Sequence, residues 1–118
     1  MKVRRGDVVL VVFPFSSGTG SKKRPALIIQ NDVANQRISN TIVAMITRTT
    51  HRASLPTQVL IDVGTPEGRQ SGLLATSVVA CENLLTIEQG RVGKRIGVLP
   101  QTLMQQVNAA LTHSLALS

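Results

Sequence analysis

Apolar residues recur along this chain in short β-branched runs separated by turn-forming residues. Val8 to Phe13 is an unbroken apolar run, stopped by Pro14 and by the Ser- and Gly-rich loop SSGTGSKK at residues 16–23. That is the pattern of a strand covered on both faces. Ala26 to Gln30 is a second run, closed by the turn residues Asn31 and Asp32, and Thr41 to Thr47 (TIVAMIT) is a third. Leu55 to Val63 alternates in its second half, with Val59 and Ile61 on one side and Leu60 and Asp62 on the other. Ser77 to Ile87 and Arg95 to Leu99 complete the predicted strands. After Pro100 the period changes. Leu103, Met104, Val107, Ala110, Leu111 and Leu115 fall at helical spacing, which predicts an amphipathic helix with Pro100 in its first turn. Five or six strands followed by one helix predict a mostly β fold, a compact and largely antiparallel barrel with a C-terminal helix packed on it. No internal repeat, low-complexity tract or linker interrupts the pattern, so residues 1–118 read as one domain.

Composition narrows the partners. A chain of 118 residues can bury roughly two-thirds of its unfolded surface without staples. The single Cys81 cannot form an internal disulfide, so no oxidising compartment is needed. Thirteen Lys and Arg against six Asp and Glu give a net charge of +7, which favours an anionic partner. Phe13 and Phe15 are the only aromatic residues. A protein that grips single strands mainly by stacking bases needs more, so phosphate contacts and base-edge hydrogen bonds would have to carry nucleic-acid affinity. The basic start and apolar run of MKVRRGDVVLVVFPF outline a signal peptide. Asp7, Pro14 and the lack of a small-residue cleavage site argue against one, and the run is too short to span a bilayer. A first strand in a cytoplasmic protein, away from membranes, is the expectation.

Few residues fit a chemical template. His51 and His113 lie far apart, neither has a His or Cys at ligand spacing, and no metal or cofactor is expected. Cys81 in VVACENLL reads as a small buried hydrophobe. GTGSKK has the glycines of a phosphate cradle without P-loop spacing. Arg24 stands out because Pro25 biases it toward extended backbone at the mouth of a core strand. A guanidinium there offers planar donors matched to phosphate oxygens. The plainer reading is a solvated charge on the barrel rim.

Taken in order, these residues resemble the MazF/PemK toxins of toxin–antitoxin modules. The likeness begins with Gly6-Asp7-Val8-Val9-Leu10-Val11, a Gly/Ser loop, and Arg24-Pro25-Ala26-Leu27-Ile28-Ile29-Gln30-Asn31-Asp32. It continues through IVAMIT at 42–47, Leu55-Pro56-Thr57, Gly72-Leu73, Ser77-Val78-Val79 and Leu85-Thr86-Ile87, to Lys94-Arg95-Ile96-Gly97 and the final helix. The resemblance implies a small SH3-like barrel that forms homodimers, is restrained by an acidic antitoxin, and cleaves single-stranded RNA without a metal. In that reaction the ribose 2′-OH attacks the adjacent phosphate, leaving a 2′,3′-cyclic phosphate and a 5′-OH. By position, Arg24 would stabilise the phosphorane, Thr47 would hold a phosphate oxygen, and Glu82 would accept the 2′-OH proton. An exposed strand carboxylate without a role remains the alternative for Glu82. Phe15, Ser17, Thr19, Lys22, Lys23, Arg48 and Asn83 would line the RNA path. The chain departs from the family pattern in three places: the first loop has no acidic residue, Asn83 replaces a frequent Gln, and Leu85 replaces a frequent Arg.

Two other readings stay open from sequence. One is a barrel of the CcdB type, which binds DNA gyrase and does not cut RNA. The other is a nucleic-acid-binding barrel without turnover.

Overall fold

The computed structural model describes residues 2–14, 18 and 20–117. Its strands are β1 (Asp7–Pro14), β2 (Ser21–Ile28), β3 (Asn40–Thr47), β4 (Gln58–Ile61), β5 (Ser77–Glu88) and β6 (Val92–Val98). Its helices are α1 (Asp32–Arg37), α2 (Pro66–Arg69) and α3 (Gln101–Leu115). The strands form one sheet in the order β4-β5-β3-β2-β1-β6, every neighbouring pair antiparallel. The sheet curls into a half-barrel with one C-terminal helix, the mostly β architecture expected.

Both faces of the sheet are buried, and the side-chain period of two divides each strand between two cores. Val8, Leu27, Ala44, Ile46 and Val59 point to the face covered by α3, where Leu103, Met104, Val107 and Ala110 complete the packing. Val9, Val11, Ala26, Ile28, Val43 and Met45 form a second cluster. This double burial explains why β1, β2 and β3 read as continuous apolar runs and not as alternating ones. The stripe on α3 ends earlier than its spacing suggests, since Leu111 is half-buried and Leu115 is exposed. Pro100 is the N-cap, one residue before the first turn. At the other end Ala116 takes a left-handed conformation and the Leu117 N–H bonds the Thr112 carbonyl at 3.1 Å.

Several boundaries differ from those the pattern predicts. β2 starts at Ser21, not Ala26, so Lys22, Lys23 and Arg24 belong to the strand and pair with Phe13, Val12 and Val11. Cross-strand pairing extends the element beyond its apolar part. Asn31 and Asp32 open α1 instead of a simple turn: the Asn31 side chain accepts a bond from the Ala34 N–H at 2.8 Å. Asn35, fully buried on α1, accepts from Thr41 Oγ1 at 2.7 Å and from Gln30 Nε2 at 2.9 Å, which ties the helix to β3. β4 is shorter than Leu55–Val63, and β6 begins three residues before Arg95.

Candidate active site

Two irregularities of the sheet create the site. The first is where β2 and β3 part. Their pairing runs from Ile28↔Val43 to Ala26↔Met45 and stops at Pro25, which has no N–H to continue a ladder. Extending the same register by two residues would set Arg24 opposite Thr47, but there the strands are unpaired. The second is a bulge in β5. Met45 pairs with Ala80, whereas the adjacent Ala44 pairs with Leu84. Residues 81–83 therefore have no partners on β3, and Glu82 and Asn83 turn outward, exposed. Bulges of this kind re-aim side chains beside functional sites.

The result is a groove of about 610 Å³ whose lining includes Arg24, Thr47, Glu82 and Asn83. Residues from β2, the end of β3 and the β5 bulge thus meet in one place. Thr47 Oγ1 accepts a hydrogen bond from the Thr49 N–H at 3.2 Å, which leaves its own O–H free to donate. Glu82 Oε2 accepts from Gln58 Nε2 at 2.7 Å. Gln58 lies opposite Ala80 in the β4–β5 register, so Glu82 is its diagonal neighbour on the same face. The other end of that amide is unpaired: Gln58 Oε1 is buried and is the one such side-chain atom among the described residues without a hydrogen-bond partner. An unpaired buried acceptor of this kind costs about 1–3 kcal/mol.

A second groove of about 830 Å³ adjoins the first, and Arg24 and Thr47 line both. Lys22, Lys23 and Arg48 face this second groove, joined by Lys94 and Arg95 from β6. Adding Arg24 and the first groove's Arg52, the two grooves gather seven of the thirteen Lys and Arg with one carboxylate, Glu82. Arg95 is held by Asp7 at 3.1 Å. Such a concentration of one sign attracts polyanions.

The structure thus brings Arg24, Thr47, Glu82 and Asn83 together and places Lys22, Lys23 and Arg48 next door. Phe15, Ser17 and Thr19 lie outside the described residues. Sequence reasoning missed Phe13, Thr49, His51, Arg52 and Gln58, which also line the first groove. The signal was present in RTTHRASLPT, where two Arg and a His follow the third strand. His51 lacks a His or Cys at ligand spacing, and among the described residues no three His, Cys, Asp or Glu cluster around a common point. Leu85 lines the groove where the resemblance leads one to expect an Arg. Cys81, beneath Glu82, is buried in the core as expected. Burial first, and the Glu82 charge second, push its thiol up to about 11. No helix among the described residues is long and apolar enough to cross a membrane.

Comparison with known proteins gives a consistent picture. Residues 4–115 match the family model described as PemK-like, MazF-like toxin of type II toxin–antitoxin system. The chain is 38% identical over 120 residues to Endoribonuclease EndoA of Bacillus subtilis, covering 99% of this chain and 97% of the relative. A solved mycobacterial endoribonuclease in complex with its cognate antitoxin superposes with a TM-score of 0.77 at 26% identity, covering 98% and 97% of the two chains. A MazE–MazF structure from Deinococcus radiodurans reaches the same TM-score at 17% identity over the full length of both chains, a likeness of fold.

Proposed function

The chain belongs to the PemK-like, MazF-like toxin family of type II toxin–antitoxin systems, and on that premise we propose that it is an endoribonuclease working in the groove between β2, β3 and β5. The observation that carries this reading is the meeting of Arg24, Thr47 and Glu82 in one groove, at the positions the family resemblance assigns to catalysis.

In the proposed reaction a single strand of RNA lies along the cationic surface with one phosphate between Arg24 and Thr47. Glu82 accepts the ribose 2′-OH proton as O2′ bonds to phosphorus. Charge builds on the non-bridging oxygens, where the Arg24 guanidinium and the Thr47 hydroxyl donate to it. The P–O5′ bond then breaks. O5′ takes a proton from solvent while the Arg24 guanidinium donates a hydrogen bond to it, and Glu82 then releases to solvent the proton it accepted. Products are a 2′,3′-cyclic phosphate and a 5′-OH, with no net consumption of protons. Arg24 is the electrostatic partner and not the base, because a guanidinium keeps its proton in proteins and can only donate. No step calls on a metal, so cutting should persist in EDTA. Asn83, Phe13, Thr49, His51 and Arg52, which line the same groove, would contact the bases flanking the scissile bond.

The second groove suits an acidic antitoxin segment. It carries five cations besides Arg24 and exposed apolar surface at Leu74, a match for a flexible acidic chain with apolar side chains. Homodimer formation is proposed by the same family analogy.

Arg24→Ala tests the assignment. Removing a donor aimed at developing charge costs about 10²–10³ in rate, and Arg24 lies exposed on its strand. Cleavage of RNA should fall by that factor while thermal unfolding stays unchanged. An Arg24→Ala variant that cuts at the wild-type rate would remove Arg24 from the mechanism.

A further inference from the structure

Gln58 holds the Glu82 carboxylate at 2.7 Å and leaves its own amide oxygen buried and unpaired. The amide has only one orientation compatible with a carboxylate neighbour, since Glu82 can accept and cannot donate when ionised. The orientation that serves Glu82 therefore strands Oε1. An apolar residue of the same size would remove that penalty, and native folds retain such local losses mainly at functional sites. The backbone around the pair is fixed: the Cys81 N–H bonds the Thr57 carbonyl at 2.9 Å, and Gln58 is in register with Ala80. Glu82 itself stands on a bulge whose residues have no pairing partner on β3.

We propose that Gln58 is a positioning residue, which fixes the Glu82 carboxylate toward the groove at the expense of fold stability. This rests on the endoribonuclease reading for its effect on rate. The effect on Glu82 itself does not. Arg24 and Arg52 line the same groove as Glu82 and would attract a carboxylate free to move. A carboxylate released by Gln58 would swing to either guanidinium and leave the ribose hydroxyl without its acceptor.

The test uses the full chain with Gln58→Leu, which removes the donor at similar volume, and Gln58→His, which returns a ring N–H. Gln58→Leu should unfold at or above the wild-type temperature. Its kcat for RNA cleavage should fall about tenfold to a hundredfold, the loss expected for one hydrogen bond to a charged group, with KM within about twofold. Gln58→His should recover most of the rate. In side-chain NMR, Glu82 should occupy one rotamer in the wild type and average over several in Gln58→Leu. Wild-type kcat in Gln58→Leu, or an unaltered Glu82 rotamer, would overturn the proposal. So would equal losses of kcat in both variants together with lowered unfolding temperatures, because these mark a purely structural residue. A wild-type protein that cuts no RNA would instead overturn the functional reading, and the Glu82 rotamer would still decide the role of Gln58.

Discussion

Cys81 shows how the site reaches into the core. Its thiol is buried among Ala44, Val79 and the residues of α3, one position from the groove's carboxylate. With its pKa near 11, it stays a neutral thiol at physiological pH and does not act as a nucleophile. The raised value also has a consequence for stability. Below pH 9 the thiol is protonated in both the folded and the unfolded chain, so it contributes no pH dependence. Between pH 9 and about 11 the unfolded chain releases the proton first, and folding loses free energy, up to about 2–3 kcal/mol. Denaturant titration of wild type and Cys81→Ala over pH 8–11 should show the wild type losing its advantage above pH 9. A constant gap across that range would show that burial does not hold the thiol as described. Glu82, by contrast, could be picked from sequence only through family likeness. Nothing in ACEN reveals the bulge that turns it outward, because the bulge is a property of how β5 pairs with β3.

At the scale of elements, the apolar runs located β1, β3 and β5 because double burial writes itself into composition. They missed the first residues of β2, since Ser21 to Arg24 are polar and join the sheet only through β1. They also missed α1, six residues held by a cap and the buried Asn35 rather than by an apolar stripe. Pro25 was legible as the residue that pins Arg24, but its second role, ending the β2–β3 ladder, appears only with the register. The second groove depends on another close approach. Just before its Gly72–Ala75 wall, the chain is tied to β6 by the Val98 N–H, which bonds the Gln70 carbonyl at 2.9 Å. A Cβ on Gly97 would overlap the backbone carbonyls of Gln70 and Ser71, which cannot yield as a side-chain tip can. Gly97→Ala should destabilise the fold by about 3 kcal/mol, measured by thermal or urea unfolding. A loss below about 0.5 kcal/mol, the range of neutral surface changes, would show that the wall moves freely.

At the scale of the molecule, charge and fold are arranged to one end. The net +7 visible in composition pointed to an anionic partner without saying where it binds. The folded chain collects seven cations along two adjoining grooves that share Arg24 and Thr47, so the proposed phosphate binding and the proposed chemistry fall on one continuous surface. A polyanion drawn to that surface meets one carboxylate among the lining residues, Glu82, the group proposed to accept the proton. The same cationic surface would serve a gyrase-binding or purely RNA-binding barrel, and only turnover separates the three. The direct measurement is incubation of the protein in EDTA with a random-sequence RNA pool and with its 2′-deoxy counterpart, followed by mapping of all new ends. The account predicts cuts in the RNA pool alone, each leaving a 2′,3′-cyclic phosphate and a 5′-OH. Equal cutting of the deoxy pool, or intact RNA alongside gyrase-dependent DNA breaks, would contradict it.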